Sequence, residues 1–204
     1  MVFVVHAKRD ARFETGAPSA HYGGEGPGRQ GSIHSLTLGT KNRSLERREK
    51  DVSRDSREIV RTLLEGIRDP QIVKELCTPD VTYVSLNYNN PDLRKIMPRC
   101  GTGRGVDAII KTFNDVARYW NIDSFTPEEI FGEADKVAMF GRFTYTSIKL
   151  QKTVTTPFAI FCTLKDERVN YMQFMEDTFC TASSFRSGGT WRFQSDPDGA
   201  EIEI

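Results

Sequence analysis

Two ionisable side chains stand inside strand-like, apolar-rich runs of this 204-residue sequence. They are Arg142, in Met139-Phe-Gly-Arg-Phe-Thr-Tyr145, and Asp177, in Phe174-Met-Glu-Asp-Thr-Phe179. A charge in a strand core needs a partner or a purpose. Two roles fit Asp177. It is either a pocket carboxylate whose raised pKa suits it to move a proton, or the ion-pair partner of Arg142 that fixes strand register. Glu176 precedes it, and because side chains alternate along a strand only one of the two faces inward. Arg142 either orients a carboxylate or holds a substrate oxyanion, or it points outward from a solvated sheet. Tyr83 and Ser85 share one face of an earlier strand and are spaced to hold a water or a ligand oxygen, with a purely structural tyrosine as the alternative. Gln173 shares a face with Tyr171, Met175 and Asp177. Trp120 and Trp191 either fill core or build a ligand box.

Other chemistries are thinner. The three histidines, His6, His21 and His34, all lie in the first 50 residues, so the remainder has no imidazole for a triad or a metal. The four cysteines, Cys77, Cys100, Cys162 and Cys180, have no metal-ligand spacing and read as reduced thiols of a cytoplasmic protein. Gly101-Thr-Gly103-Arg-Gly105 resembles a phosphate cradle, but no apolar strand leads directly into it and no Lys-Ser/Thr pair follows, so it reads as a turn that launches a helix. The formal charge is zero, which offers nucleic acid no whole-chain basic field, and no apolar run approaches a bilayer's thickness. We therefore expect neither a nucleic-acid nor a membrane partner.

The elements that must position these residues follow from pattern. Residues 1–50 carry nine Lys/Arg against five Asp/Glu and a Gly/Pro-rich stretch without apolar periodicity, which predicts a disordered tail. Asp55-Ser-Arg-Glu58 has capping-box spacing, and Ile59, Val60, Leu63, Leu64 and Ile67 then share one helical face. Asp69-Pro70 ends that helix and opens a short second one; a strand over 81–86 and a long loop over 87–105 follow. A helix over 106–120 buries Ile109, Ile110, Phe113, Val116, Ala117 and Trp120. Strands are predicted near 128–133, 136–147, 154–165 and 168–178, with turns at Gly132-Glu-Ala-Asp135 and Lys165-Asp-Glu-Arg168. Helices followed by a meander indicate an α+β fold, with helices on one face of a curved antiparallel sheet. The domain is expected over 51–182, with a C-terminal extension over 183–204.

The order Asp80-Val-Thr-Tyr-Val84, Gly103-Arg-Gly-Val-Asp-Ala-Ile109 and Met172-Gln-Phe-Met-Glu-Asp177 resembles the SnoaL-like branch of the nuclear transport factor 2-like superfamily, over roughly residues 53–180. The resemblance implies a cone-shaped sheet around a central apolar pocket, action without a cofactor, and a homodimer. Members include polyketide cyclases, ketosteroid isomerases, epoxide hydrolases and non-catalytic binders. Arg142 and Asp177 match the outer members of the epoxide-hydrolase pattern, but Thr144 replaces its central acid and Ser85 its water-holding Asn. The isomerase base falls near Ser85 and its acidic oxyanion donor near Phe158 or Ala159. The cyclase pattern needs mainly a carboxylate near Asp177.

These expectations combine into a cofactor-free enzyme of cyclase, isomerase or hydrolase type acting on an apolar small molecule. Asp177 would transfer a proton, Arg142 would set its charge, and Tyr83 would position substrate or water. Trp120, Phe140, Phe143, Phe158, Gln173 and Met175 would line the pocket. The alternative is a non-catalytic binding or dimerisation module.

Overall fold

Asp55 opens the fold as a helix cap. Its side chain accepts the backbone N–H of Arg57 at 2.9 Å, which satisfies one of the donors that every helix start leaves free. The computed structural model describes residues 54–204; the predicted tail and the three histidines lie outside them. Helix α1 spans Ser56–Glu65 and buries Ile59, Val60, Leu63 and Leu64. Asp69 caps α2, Pro70–Leu76, with Pro70 at the first position, where its missing N–H costs nothing. Strand β1, Cys77–Ser85, follows directly.

The stretch expected to be one long loop holds two further elements. Asn90 caps α3, Pro91–Ile96, and β2 covers Gly101–Arg104. Helix α3 buries none of its residues, so it carries no apolar stripe for a sequence pattern to reveal. Strand β2 is half glycine and is held by pairing with β1. Gly105 then takes φ +80°, which glycine adopts without strain, and starts α4, Val106–Tyr119.

The sheet is built from β3 (Trp120–Glu133), β4 (Lys136–Ser147), β5 (Thr153–Lys165) and β6 (Arg168–Glu176) together with β1 and β2. The chain then forms α5 (Thr178–Ser183) and a small hairpin of β7 (Arg192–Phe193) and β8 (Ile202–Glu203). Strand order is β2-β1-β6-β5-β4-β3. The ladders are antiparallel except for β1 with β6, which is parallel. The fold is α+β, as expected, but the sheet is mixed rather than purely antiparallel. It is curved and open, and irregularities in β3 at Ile122/Ser124 and Pro127/Glu129 bend that edge. An edge is also where Pro127 can sit without breaking a ladder.

One face of the sheet carries the core. On β4 the buried positions are Val137, Met139, Gly141, Phe143, Tyr145 and Ser147, in strict alternation. Helices α1, α2 and α4 pack against the strands. Gly141 lets the layers close: a Cβ there would collide with the Thr126 carbonyl and the Phe158 ring.

Candidate functional site

The parity of β6 decides which carboxylate enters the core. Met172 and Phe174 are buried, so Glu176, two residues on, faces the same way and is the strand's last residue. Its side chain is only 1% exposed. Oε1 accepts a hydrogen bond from Thr181 Oγ1 at 2.8 Å and another from Arg99 Nη2 at 3.4 Å. Arg99 comes from the segment between α3 and β2, and its side chain is 3% exposed. Its guanidinium carbon lies 4.9 Å from the centroid of the Trp120 ring, a cation–π arrangement. Trp120 in turn donates Nε1–H to Ser184 Oγ at 2.9 Å.

Around this pair lie hydroxyls and flat rings. Tyr83 on β1 and Tyr145 on β4 are buried. Burial pushes both phenols well above their ordinary range; the Arg99 charge opposes the rise at each, and Glu176 adds to it. Burial likewise raises the Glu176 carboxyl, while Arg99 and the Thr181 hydroxyl pull it down. The Ser85 hydroxyl is within hydrogen-bonding reach of the Tyr83 phenol and pulls its pKa down against burial, whereas Arg99 Nε is buried without an acceptor. The Phe143 and Tyr145 rings stack with centroids 4.1 Å apart, and Phe158 stacks on Phe174 at 5.6 Å. A cavity of about 180 Å³ beside α1, lined by Arg54, Asp55, Glu58, Ile59, Thr62 and Leu76, shares no residue with this cluster.

The structure does not bring Arg142 and Asp177 together as partners. Arg142 lies on the outer face of β4, 66% exposed, with Nε 3.0 Å from Glu128 Oε1. Asp177 has left the strand and caps α5, its Oδ1 accepting the N–H of Cys180 at 3.0 Å. Of the other candidates, Tyr83, Trp120, Phe143 and Phe158 are buried in the core. Phe140 and Met175 are exposed instead, with Phe140 stacked on Phe131. Gln173 also lies outward and accepts a hydrogen bond from Tyr171 OH at 3.0 Å. Phe140 and Phe143 sit at odd spacing on a regular strand, so they face opposite sides.

Residues 60–172, more than half of the chain, match the sequence model of the SnoaL-like domain. The chain belongs to the SnoaL-like family. Two fungal relatives are similar to it: Patulin synthesis protein F of Aspergillus clavatus, 45% identical over 135 residues, and Patulin biosynthesis cluster protein F of Penicillium expansum, 42% identical over 135. Each alignment covers 64% of this chain and 68% of the relative. Among solved structures, an NTF2-like protein of Burkholderia thailandensis superposes with a TM-score of 0.56 at 18% identity, and TerC co-crystallised with polyporic acid with 0.55 at 23%. Both comparisons cover 65% of this chain and 98% of the other. At those identities they establish the fold.

Within the SnoaL-like frame, sequence reasoning weighed Glu176 only to set it beside Asp177, and it missed Arg99, Tyr145 and Thr181. A signal for Glu176 was present. Asp177-Thr-Phe-Cys180 is a helix start with Asp in the cap position, which makes Glu176 the last strand residue. Arg99 gave no such signal. It follows Pro98 in an irregular segment without periodicity, and it reaches Glu176 only because β1 and β6 pair.

Proposed function

We propose that this SnoaL-like chain is a small-molecule enzyme that moves a proton with Glu176. The observation that carries this reading is a carboxyl 1% exposed, set on an aromatic face opposite Arg99. A carboxyl whose pKa is raised by burial gains proton affinity toward working pH, which is what an acid–base catalyst on an apolar substrate requires. As carboxylate, Glu176 takes a proton from carbon next to a carbonyl; as acid, it returns one to another atom of the same molecule. Tyr83 and Tyr145, kept neutral by burial, act as hydrogen-bond donors to the substrate oxygen. Trp120, Phe143 and Phe158 provide flat apolar walls. Isomerisation and cyclisation use such a shuttle; in a hydrolysis Glu176 would instead take the proton of an attacking water. Kinship with two proteins named for patulin synthesis supports a substrate from small-molecule biosynthesis.

The exposed Phe131, Phe140 and Met175 on the outer face support a homodimer formed through that face, read out by sedimentation. Free thiols at all four cysteines support a cytoplasmic location. No helix among the described residues is long and apolar enough to cross a membrane. On this reading the domain spans residues 51–182, and the Asp55 cap stands near its start.

The test is deuterium incorporation from D₂O into a panel of cyclic enones and β-diketones, followed by mass spectrometry for the wild type, Glu176→Gln and Asp177→Asn. The reading expects exchange in the wild type and in Asp177→Asn, and its loss in Glu176→Gln. Full exchange in a folded Glu176→Gln would overturn it. One observation favours a second reading: Glu176 also binds Thr181 of α5, so the pair can serve only to anchor that helix. In that case Glu176→Gln lowers stability and no variant exchanges.

A further inference from the structure

Beyond α5 the chain carries an apolar surface that the described residues leave largely open. Strands β7 and β8 pair Phe193 with Ile202, and Trp191 and Ile204 exchange backbone hydrogen bonds at 2.8 and 3.0 Å. Residues directly opposite on an antiparallel ladder share a face, so these four apolar side chains lie together. The Phe179 ring of α5 joins them, its centroid 5.1 Å from that of Trp191. The other face of the hairpin is polar, with Arg192 ion-paired to Glu201 and Glu203. Phe179, Phe193, Ile202 and Ile204 remain between 39% and 52% exposed. Two strands alone are marginal in water and need a third strand or other cover. The edges are ready for one: Arg192 and Glu203 lie between two hydrogen-bonded pairs and therefore turn their N–H and C=O groups outward. The hairpin lies outside the SnoaL-like residues 60–172, so that fold does not require it.

We propose that Val2-Phe-Val-Val5 of this chain adds a third strand to the hairpin and covers its apolar face. Valine and phenylalanine favour strands, and the sequence places four of them in a row. Charge selects this occupant. Residues 192–204 hold one arginine against four carboxylates, so a second hairpin or an anionic lipid surface would be repelled. Lys8, Arg9 and Arg12 against Asp10 give the continuation of the apolar segment the opposite sign. Length permits the meeting: the 48 residues between Val5 and Arg54 would span roughly 40 Å as a coiled chain, about the diameter of a domain of this size. Main-chain bonds along the edge supply affinity, and alternate side chains supply selectivity. Phe3 and Val5 take the side facing the patch, because the ring buries more apolar area than a valine. No step of this docking involves Glu176.

Amide hydrogen exchange, read by mass spectrometry on peptic fragments covering 191–204, tests this in the whole chain and in a chain lacking residues 2–9. We expect exchange in those fragments to be roughly tenfold slower in the whole chain. A synthetic peptide of residues 2–12, added to the shortened chain, should restore the protection, less so in high salt. The same peptide with Phe3→Asp should fail to restore it, whereas Val4→Thr, on the other parity and still a strand former, should succeed. Equal exchange with and without residues 2–9 overturns the proposal. Protection that rises with protein concentration but ignores residues 2–9 assigns the patch to a second copy, and overturns it too. Restoration by the Phe3→Asp peptide overturns the strand assignment. These variants share no position with Glu176→Gln, so failure here leaves the proton-transfer reading standing.

Discussion

Two arginine–carboxylate pairs occupy opposite faces of the same sheet. On the outside, Arg142 meets Glu128 at 3.0 Å, with both side chains largely in water. On the inside, Arg99 meets Glu176 at 3.4 Å, with both almost wholly buried. The outer pair has the better distance and the smaller consequence, because solvent screens it and long side chains lose entropy in holding it. The inner pair has the poorer distance and the larger consequence, because each charge has been stripped of water and relies on the other. Contact length alone is therefore a poor guide to which pair matters; burial decides.

The contrast can be broken most forcefully at Arg99. Arg99→Met leaves Glu176 buried without its cation, and we expect about 3–5 kcal/mol lost from unfolding free energy in urea. The double variant with Glu176→Gln should recover part of that loss. Next, Asp177→Ala removes the cap of α5 and should cost about 1 kcal/mol while leaving deuterium exchange unchanged. Exchange lost in that variant would mean that Asp177, not Glu176, belongs to the chemistry.

A smaller effect tests the inner pair through pH. Burial raises the folded-state pKa of Glu176 above its ordinary 4.5. The folded state then holds a proton that the unfolded chain has released. Its contribution is fully present below about pH 4.5 and is lost as pH rises through the elevated folded value. Melting curves should therefore show the stability of wild type relative to Glu176→Gln falling over that window. Arg99, Asp177, Cys100, Cys180, Tyr83 and Tyr145 are the charged or titratable groups coupled to it. A flat difference would show that Arg99 and the Thr181 hydroxyl fully offset the effect of burial on the carboxyl. Smallest of all, Arg142→Ala should change stability by less than ~1 kcal/mol, and that little should fade in high salt. A loss as large as that of Arg99→Met would collapse the comparison.

Much of this architecture could be read from the chain. The Asp55 and Asp69 caps, the apolar stripe of α1 and the alternation of β4 are local signals, and local signals survive without a structure. Helix α3 and strand β2 escaped because one buries no side chain and the other is stabilised by its neighbour. The site was half legible. Tyr83, Trp120, Phe143 and Phe158 were marked by type and spacing. The charged pair was displaced by one residue on β6, since Met172, Phe174 and Met175 put apolar side chains at both parities and left the inward face undetermined until the α5 cap fixed it. Arg142 drew attention because it sits in a strand. Arg99 drew none because it sits outside one, although it is the arginine that is buried.

The parallel pairing of β1 with β6 has a consequence for synthesis. Strand β6 is the last of the six to leave the ribosome, yet it lies between β1 and β5 and joins the two halves of the sheet. Ser85 lies in register with Phe174, about ninety residues downstream, so a nascent chain carries β1 and β2 without their permanent neighbour until nearly all of the domain exists. Long-range pairing of this kind slows folding. It also means that a chain ending before Arg168 would be left with two unjoined sheet fragments, and that Glu176 arrives only with the strand that makes the sheet one piece.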